Sequence, residues 1–165
     1  MEERRAKIIQ HHQNMLQWVR SLNALSAEDW LRPIADDKWS TAEIISHFAP
    51  WDDFVVTKRL PHLGTSQPLP EAPDPDILNR QAVDARSKEQ SHVITTFINA
   101  RERLLQSLLA IPEEKWTHSF KLAGQDLTLS DYLDALVEHD LHHQQQIQQV
   151  LTKKNAQIWV PTPES

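Results

Sequence analysis

The run His139-Asp140-Leu141-His142-His143 holds two imidazoles four residues apart. On a helix of 3.6 residues per turn such a pair lies on one face, about 40° apart, and can chelate one cation. With nine histidines in 165 residues, about half a pair at this spacing is expected by chance, so the surroundings must decide. On a helical wheel His139 and His143 align with Leu136, Ile147 and Val150, whereas His142 falls with Glu138, Gln145 and Gln149 on the polar side. Two neutral imidazoles facing a core need partners, because each carries one donor and one acceptor that are costly to bury unpaired. His47, beside Ile44, Phe48 and Trp51, is the best third ligand. Three neutral histidines around a divalent ion leave a position for water or substrate, the arrangement of a catalytic centre, and zinc or nickel suits imidazole. His12 reads as an inward residue that either supports the ligands or is a hydrogen-bonded core side chain. His11, His62, His92 and His118 read as surface or loop residues, and Trp51 as a wall of the pocket or plain packing.

The elements that would carry these residues are helical. From Glu3 to about Ala24, Ile8, His12, Met15, Val19 and Leu22 recur at spacings of three and four, which predicts a first helix. Ser26-Ala27-Glu28-Asp29 predicts a capped short turn ending near Pro33. Ser40-Thr41-Ala42-Glu43 has the capping-box pattern and opens a second helix, which carries Pro50 inside and closes at Pro61. A kink is expected at Pro50. Residues 61–75 contain five of the ten prolines and one of the two glycines, so an extended crossover is expected there. Asp76 is positioned to cap a short helical piece, and Val93, Phe97, Leu104 and Leu108 mark a third long helix ending at Pro112. Thr128 or Ser130 caps a fourth helix, with Leu133, Leu136, Val137, Ile147, Val150 and Leu151 on its apolar side, and Trp159-Val160-Pro161 forms a short tail. No segment alternates convincingly with period two. The fold class expected is therefore all-α, a four-helix bundle with one long crossover between helices two and three, formed as a single domain over residues 1–165. Leu25-Ser26-Ala27-Glu28-Asp29-Trp30 is echoed by Ile111-Pro112-Glu113-Glu114-Lys115-Trp116, each ahead of a histidine-bearing helix, as a duplicated hairpin would produce.

Composition removes several classes of function. Without cysteine there is no disulfide, thiolate metal site or cysteine nucleophile. A net charge of −6 with no basic run argues against a nucleic-acid partner. The charged start Met1-Glu2-Glu3-Arg4-Arg5 leads into no long apolar stretch, so neither a signal peptide nor a membrane span is expected, and the location expected is cytoplasmic. A di-iron carboxylate site needs two Glu-x-x-His motifs, and only Glu89-Gln90-Ser91-His92 is present.

Two segments carry a resemblance. Lys38-Trp39-Ser40-Thr41-Ala42-Glu43-Ile44-Ile45-Ser46-His47 and His139-Asp140-Leu141-His142-His143-Gln144-Gln145-Gln146-Ile147 resemble the tryptophan-serine helix start and the paired-ligand helix of the DinB-like superfamily, and more closely its YfiT-like branch. The resemblance extends over nearly the whole chain in helix order and length. It implies a four-helix bundle, often dimeric, with a divalent metal on His47, His139 and His143. It also implies chemistry on a small-molecule substrate. Members include transferases and isomerases that use a low-molecular-weight thiol such as bacillithiol or mycothiol, besides proteins described as hydrolases. Pro50, three residues past His47, departs from the pattern.

The first function expected is a thiol S-transferase, in which the metal lowers the pKa of a bound thiol. The second is hydrolysis, with His139-Asp140-Leu141-His142-His143 related to the His-Glu-x-x-His arrangement and Asp140 in place of the glutamate base. A third is a non-catalytic metal-binding module. The Trp-rich inventory fits a homodimer formed through an apolar face.

Overall fold

Helix α1 (Glu2–Ser21) turns Ile8, His12, Met15, Leu16 and Val19 inward, with acidic residues in its first turn and Arg20 in its last, as the helix dipole favours. A computed structural model describes residues 2–63 and 68–154 of the chain. The tail at Trp159-Val160-Pro161 lies outside the described residues.

The short helix α2 (Ala27–Leu31) is capped by Ser26, whose hydroxyl accepts from the Asp29 N–H at 3.1 Å. Helix α3 (Thr41–Phe54) begins with the full capping box: Ser40 Oγ accepts from the Glu43 N–H, and Glu43 Oε1 accepts from the Ser40 N–H. It runs through Pro50 without ending and continues as a π-helical turn, Val55–Arg59. A single 3-10 turn, Leu60–His62, follows. Across the crossover, helix α4 (Pro75–Val83) is capped by Asp74, not by Asp76. The Asp74 carboxylate accepts from the Asp76 N–H at 2.9 Å, and Pro75 takes the first helical position, where its missing N–H costs nothing. Helix α5 (Gln90–Leu109) buries Val93, Ile94, Phe97, Ala100, Arg101, Leu104, Leu105 and Leu108.

Before the last helix, strands β1 (Ser119–Leu122) and β2 (Gln125–Thr128) form an antiparallel hairpin, with Ser119 opposite Thr128 and Leu122 opposite Gln125. This element was not expected from the sequence. Its two-residue turn, Ala123-Gly124, has both φ angles positive, at 50° and 78°, the geometry of a type I′ turn. Alanine rarely takes the first of these positions, so the usual Asn-Gly or Asp-Gly signal is missing. Helix α6 (Leu129–Lys154) starts with a reciprocal pair, Thr128 Oγ1 accepting from the Asp131 N–H and Asp131 Oδ2 accepting from the Thr128 N–H.

Thus α1, α3, α5 and α6 make the four-helix bundle, with α3 and α1 both packed on α5 and α6 closing against α1. Its apolar interior falls into one cluster around Val19, Ile45, Phe48 and Phe97, and another around Leu104, Leu108, Trp116 and Leu133. Trp30 and Trp116, the matching positions of the sequence echo, are both buried ahead of a histidine-bearing helix. Among the described residues no helix is long and apolar enough to cross a membrane.

Candidate metal centre

Two helices bring together three of the histidines. His47 projects from the second turn of α3, held in register by the Ser40 cap, and His139 and His143 project from one face of α6. Their rings are mutually adjacent: centroids lie 4.7 Å apart for His47 and His143, 5.6 Å for His47 and His139, and 4.6 Å for His139 and His143. One nitrogen from each ring lies within 4.8 Å of the others. His47 is buried, His143 is half-buried and His139 is exposed, so the trio sits at the rim of the bundle and not wholly inside it, as the apolar wheel had suggested.

The free nitrogens suit a cation. His47 Nδ1 is engaged by the Ile44 carbonyl and His143 Nδ1 by Gln146 Oε1 at 2.9 Å, which leaves Nε2 of both as the open donor atom. His143 Nε2 and His139 Nε2 face each other at 3.2 Å. Two nitrogens bound tetrahedrally to one zinc ion at ~2.0–2.1 Å stand about 3.3 Å apart, so this pair has the required spacing. Burial, the largest influence on all three rings, lowers their proton affinity, for His47 to a pKa of about 4, and thereby favours the neutral ligand form. Trp39 lies 5.2 Å from the His47 ring and Phe48 lies 5.6 Å from the His143 ring, so the tryptophan ahead of the cap forms part of the wall.

Behind the trio lies a polar hub that sequence reasoning missed. Arg101, fully buried on α5, donates through Nε to Asp52 Oδ2 at 2.7 Å and through Nη1 to Asp140 Oδ2 at 2.6 Å. Its guanidinium lies over Phe97 and Phe48. His11 Nε2 meets the same Asp140 oxygen at 2.8 Å, so His11 is not the surface residue expected. Burial would raise the Asp140 carboxyl, but Arg101 and His11 outweigh it and hold the group well below the usual carboxylate range. Asp52, on the other side of Arg101, is pushed up to about 6 by burial, which Arg101 only partly offsets. The geometry around Asp140 therefore differs from that of the free base expected from the His-Glu-x-x-His likeness. His12 belongs to the hub as well: Arg101 Nη1 lies 3.4 Å from its Nδ1. His11, His12 and Asp140 are close enough to hold an ion, but the Arg101 guanidinium already supplies the positive charge there. A signal was present in the sequence, since Arg101 falls four residues after Phe97 and three before Leu104 on the buried face of α5.

Two hollows flank the trio. One of about 360 Å³ opens between α3, α5 and α6, reaching His139 and walled by Phe48, Trp51, Phe54 and Leu136. The other, about 270 Å³, is bounded by Ile34, Trp39, Lys38 and Gln146 and reaches His143. Trp51 thus lines a pocket, its indole N–H donating to Asn79 Oδ1 at 3.4 Å. His142 is exposed beside the trio, and His92 and His118 are exposed well away from it in sequence.

Comparison with solved structures gives a strong likeness in fold. One match is YfiT from Bacillus subtilis, described as a "probable metal-dependent hydrolase with an unusual four-helix bundle topology". It aligns with a TM-score of 0.79 at 16% identity over 94% of this chain and 90% of that one. Another is a mycothiol-dependent maleylpyruvate isomerase, with a TM-score of 0.61 at 12% identity over 87% of this chain and 57% of the isomerase. No curated protein matches the chain at a significant level. The DinB superfamily model matches residues 7–147, which include the Ser40 cap, His47 and the paired histidines of α6. The chain belongs to the DinB superfamily.

Proposed function

We propose that the chain is a metal-dependent enzyme in which His47, His139 and His143 hold zinc or nickel and a low-molecular-weight thiol is the cosubstrate transferred to a small electrophile. The observation that carries this reading is the position of the trio between two hollows, one reaching His139 and the other His143. Such a site can receive two molecules, one through each hollow. A divalent cation there lowers the pKa of a bound thiol or water, so that an anion forms near neutral pH.

The chain's own residues supply orientation and packing. Ile44 and Gln146 fix the ring orientation of His47 and His143, which leaves their Nε2 atoms convergent. Trp39 packs beside the His47 ring and Phe48 beside the His143 ring. Asp140, tied to Arg101 and His11, anchors α6 against α5 and α1 next to His139, a positioning part. The second reading is metal-assisted hydrolysis, favoured by the fold shared with YfiT. Incubation of zinc- or nickel-loaded protein with monobromobimane, with and without bacillithiol or mycothiol, tests the proposal. Consumption of the bimane accelerated by protein only when thiol is present supports transfer. Ester or amide turnover indifferent to thiol overturns it in favour of hydrolysis.

A further inference from the structure

The larger hollow contains a buried cation that meets no counter-charge among the described residues. Arg59, at the end of the π-helical turn that continues α3, is 6% exposed and lines the cavity wall. Its Nε donates to the Pro70 carbonyl at 3.0 Å and its Nη1 to the Tyr132 hydroxyl at 3.3 Å. The guanidinium lies 4.9 Å from the Phe54 ring and 5.5 Å from the Tyr132 ring. Among the described residues no carboxylate stands within ion-pair distance of it.

The contrast with Arg101 is informative. Both guanidinium groups line the same cavity and both are buried, but Arg101 is matched by Asp52 and Asp140. Withdrawing a guanidinium from water is costly unless an anion compensates it, and ring faces and neutral oxygens compensate only in part. Among the described residues Arg59 makes the two hydrogen bonds above, so of the five N–H donors that arginine carries those on the outer edge remain for a planar, bidentate partner. A π-turn inside a helix also recurs at functional sites, and this one carries Val55 and Arg59 into the wall together.

We propose that Arg59, steadied by Tyr132, binds a carboxylate of the substrate, so that the molecule acted upon is an acid with an apolar or aromatic body. This rests on the metal-centre reading for where the reacting atom lies. The rest of the cavity suits such a body, since Phe48, Trp51, Phe54, Val55, Leu104 and Leu136 face it. Length follows from α6: Tyr132 precedes His139 by seven residues, which at 1.5 Å per residue places the anion-binding end about 10 Å from the ligand histidine. A ring or short chain separates the acid from the reactive group.

Hydrocinnamate and its amide, which differ in charge but hardly in shape, are the probes, titrated calorimetrically into metal-free and zinc-loaded protein. The acid should bind about tenfold or more tightly than the amide in both forms. Arg59→Gln should erase the preference, and Arg59→Lys should keep part of it. Equal affinity for the two probes in the wild-type chain overturns the proposal, and this comparison holds whether or not Arg59→Gln folds. A preference that survives Arg59→Gln, or one present only in zinc-loaded protein, also overturns it, because the carboxylate is then bound elsewhere or on the metal. His143→Ala separates the two readings: zinc affinity unchanged by it removes the metal centre, while a preference dependent on Arg59 in the same variant keeps the acid site.

Discussion

A histidine becomes a ligand through what its second nitrogen does. In His47 and His143 that nitrogen is taken by a backbone carbonyl and by Gln146, which sets the tautomer and aims Nε2 at the shared point. His142, one residue from His143, has the same chemistry but is exposed beside the trio, its ring 5.4 Å from that of His143. This gives a direct comparison at the residue scale. Elemental analysis of protein prepared without a polyhistidine tag should find about one divalent ion per chain in the wild type, as expected of a three-histidine site. His142→Ala should retain that content, while His47→Ala and His143→Ala should each fall below about a tenth of it, since two remaining imidazoles bind weakly. Equal content in His142→Ala and His143→Ala would place the metal elsewhere.

At the scale of elements, the helices are joined by buried charge as well as by apolar packing. Arg101 joins α5 to α3 through Asp52 and to α6 through Asp140, all three buried. Arg101→Met should destabilise the fold by roughly 3–5 kcal/mol in urea unfolding, because two carboxylates lose their cation together. Asp52→Asn and Asp140→Asn added to it should recover much of the loss, as removing uncompensated charge does. A second link is half-buried: Arg4 of α1 donates to Asp131 and Asp134 in the first turns of α6. Arg4 and then the Thr128 cap lower the Asp131 pKa from 3.8 to about 2. A depressed carboxylate stabilises above its unfolded value and loses that effect as pH falls. Asp131→Asn should therefore flatten the stability profile between about pH 4 and pH 2 and leave its slope at neutral pH unchanged, as read from thermal melts. The Ser40 and Thr128 caps were legible because a cap is a short local pattern. The hairpin was not, since Ala123 occupies a position that normally signals itself with Asn or Asp. The hub was hidden for another reason: a charged residue on an apolar stripe reads as an irregularity until its partners from other helices are known, and this also concealed His11.

For the whole molecule, the trio joins α3 to α6, and the ligands lie 92 and 96 residues apart along the chain, as 139 − 47 and 143 − 47 show. Apolar contacts alone give this junction no uniqueness, because its outer edge at His139 is exposed and hollows open on both sides. The unpaired apolar surface that would support a dimer is dispersed among the described residues: Ile77 and Val83 on α4, Leu109 on α5 and Leu141 on α6. The junction is accordingly the place where a ligand has most to add to the fold. A cation bound by both helices has no equivalent in the unfolded chain, where two of the donors remain neighbours and the third is distant, so its affinity for the native state becomes stability. At free zinc about a hundredfold above the dissociation constant the gain is roughly 2.7 kcal/mol. For a domain of this size that corresponds to a rise in Tm of about 5–10 °C. Differential scanning calorimetry should show this rise, a chelator should reverse it, and His142→Ala should preserve it. His143→Ala and His47→Ala should melt at the same temperature with and without zinc, because a cation bound through α6 alone, or through one helix and a water, no longer ties the two halves of the sequence together. A zinc-dependent rise of equal size in His47→Ala would show that the stabilising ion sits on α6 alone and that the junction with α3 is maintained by packing.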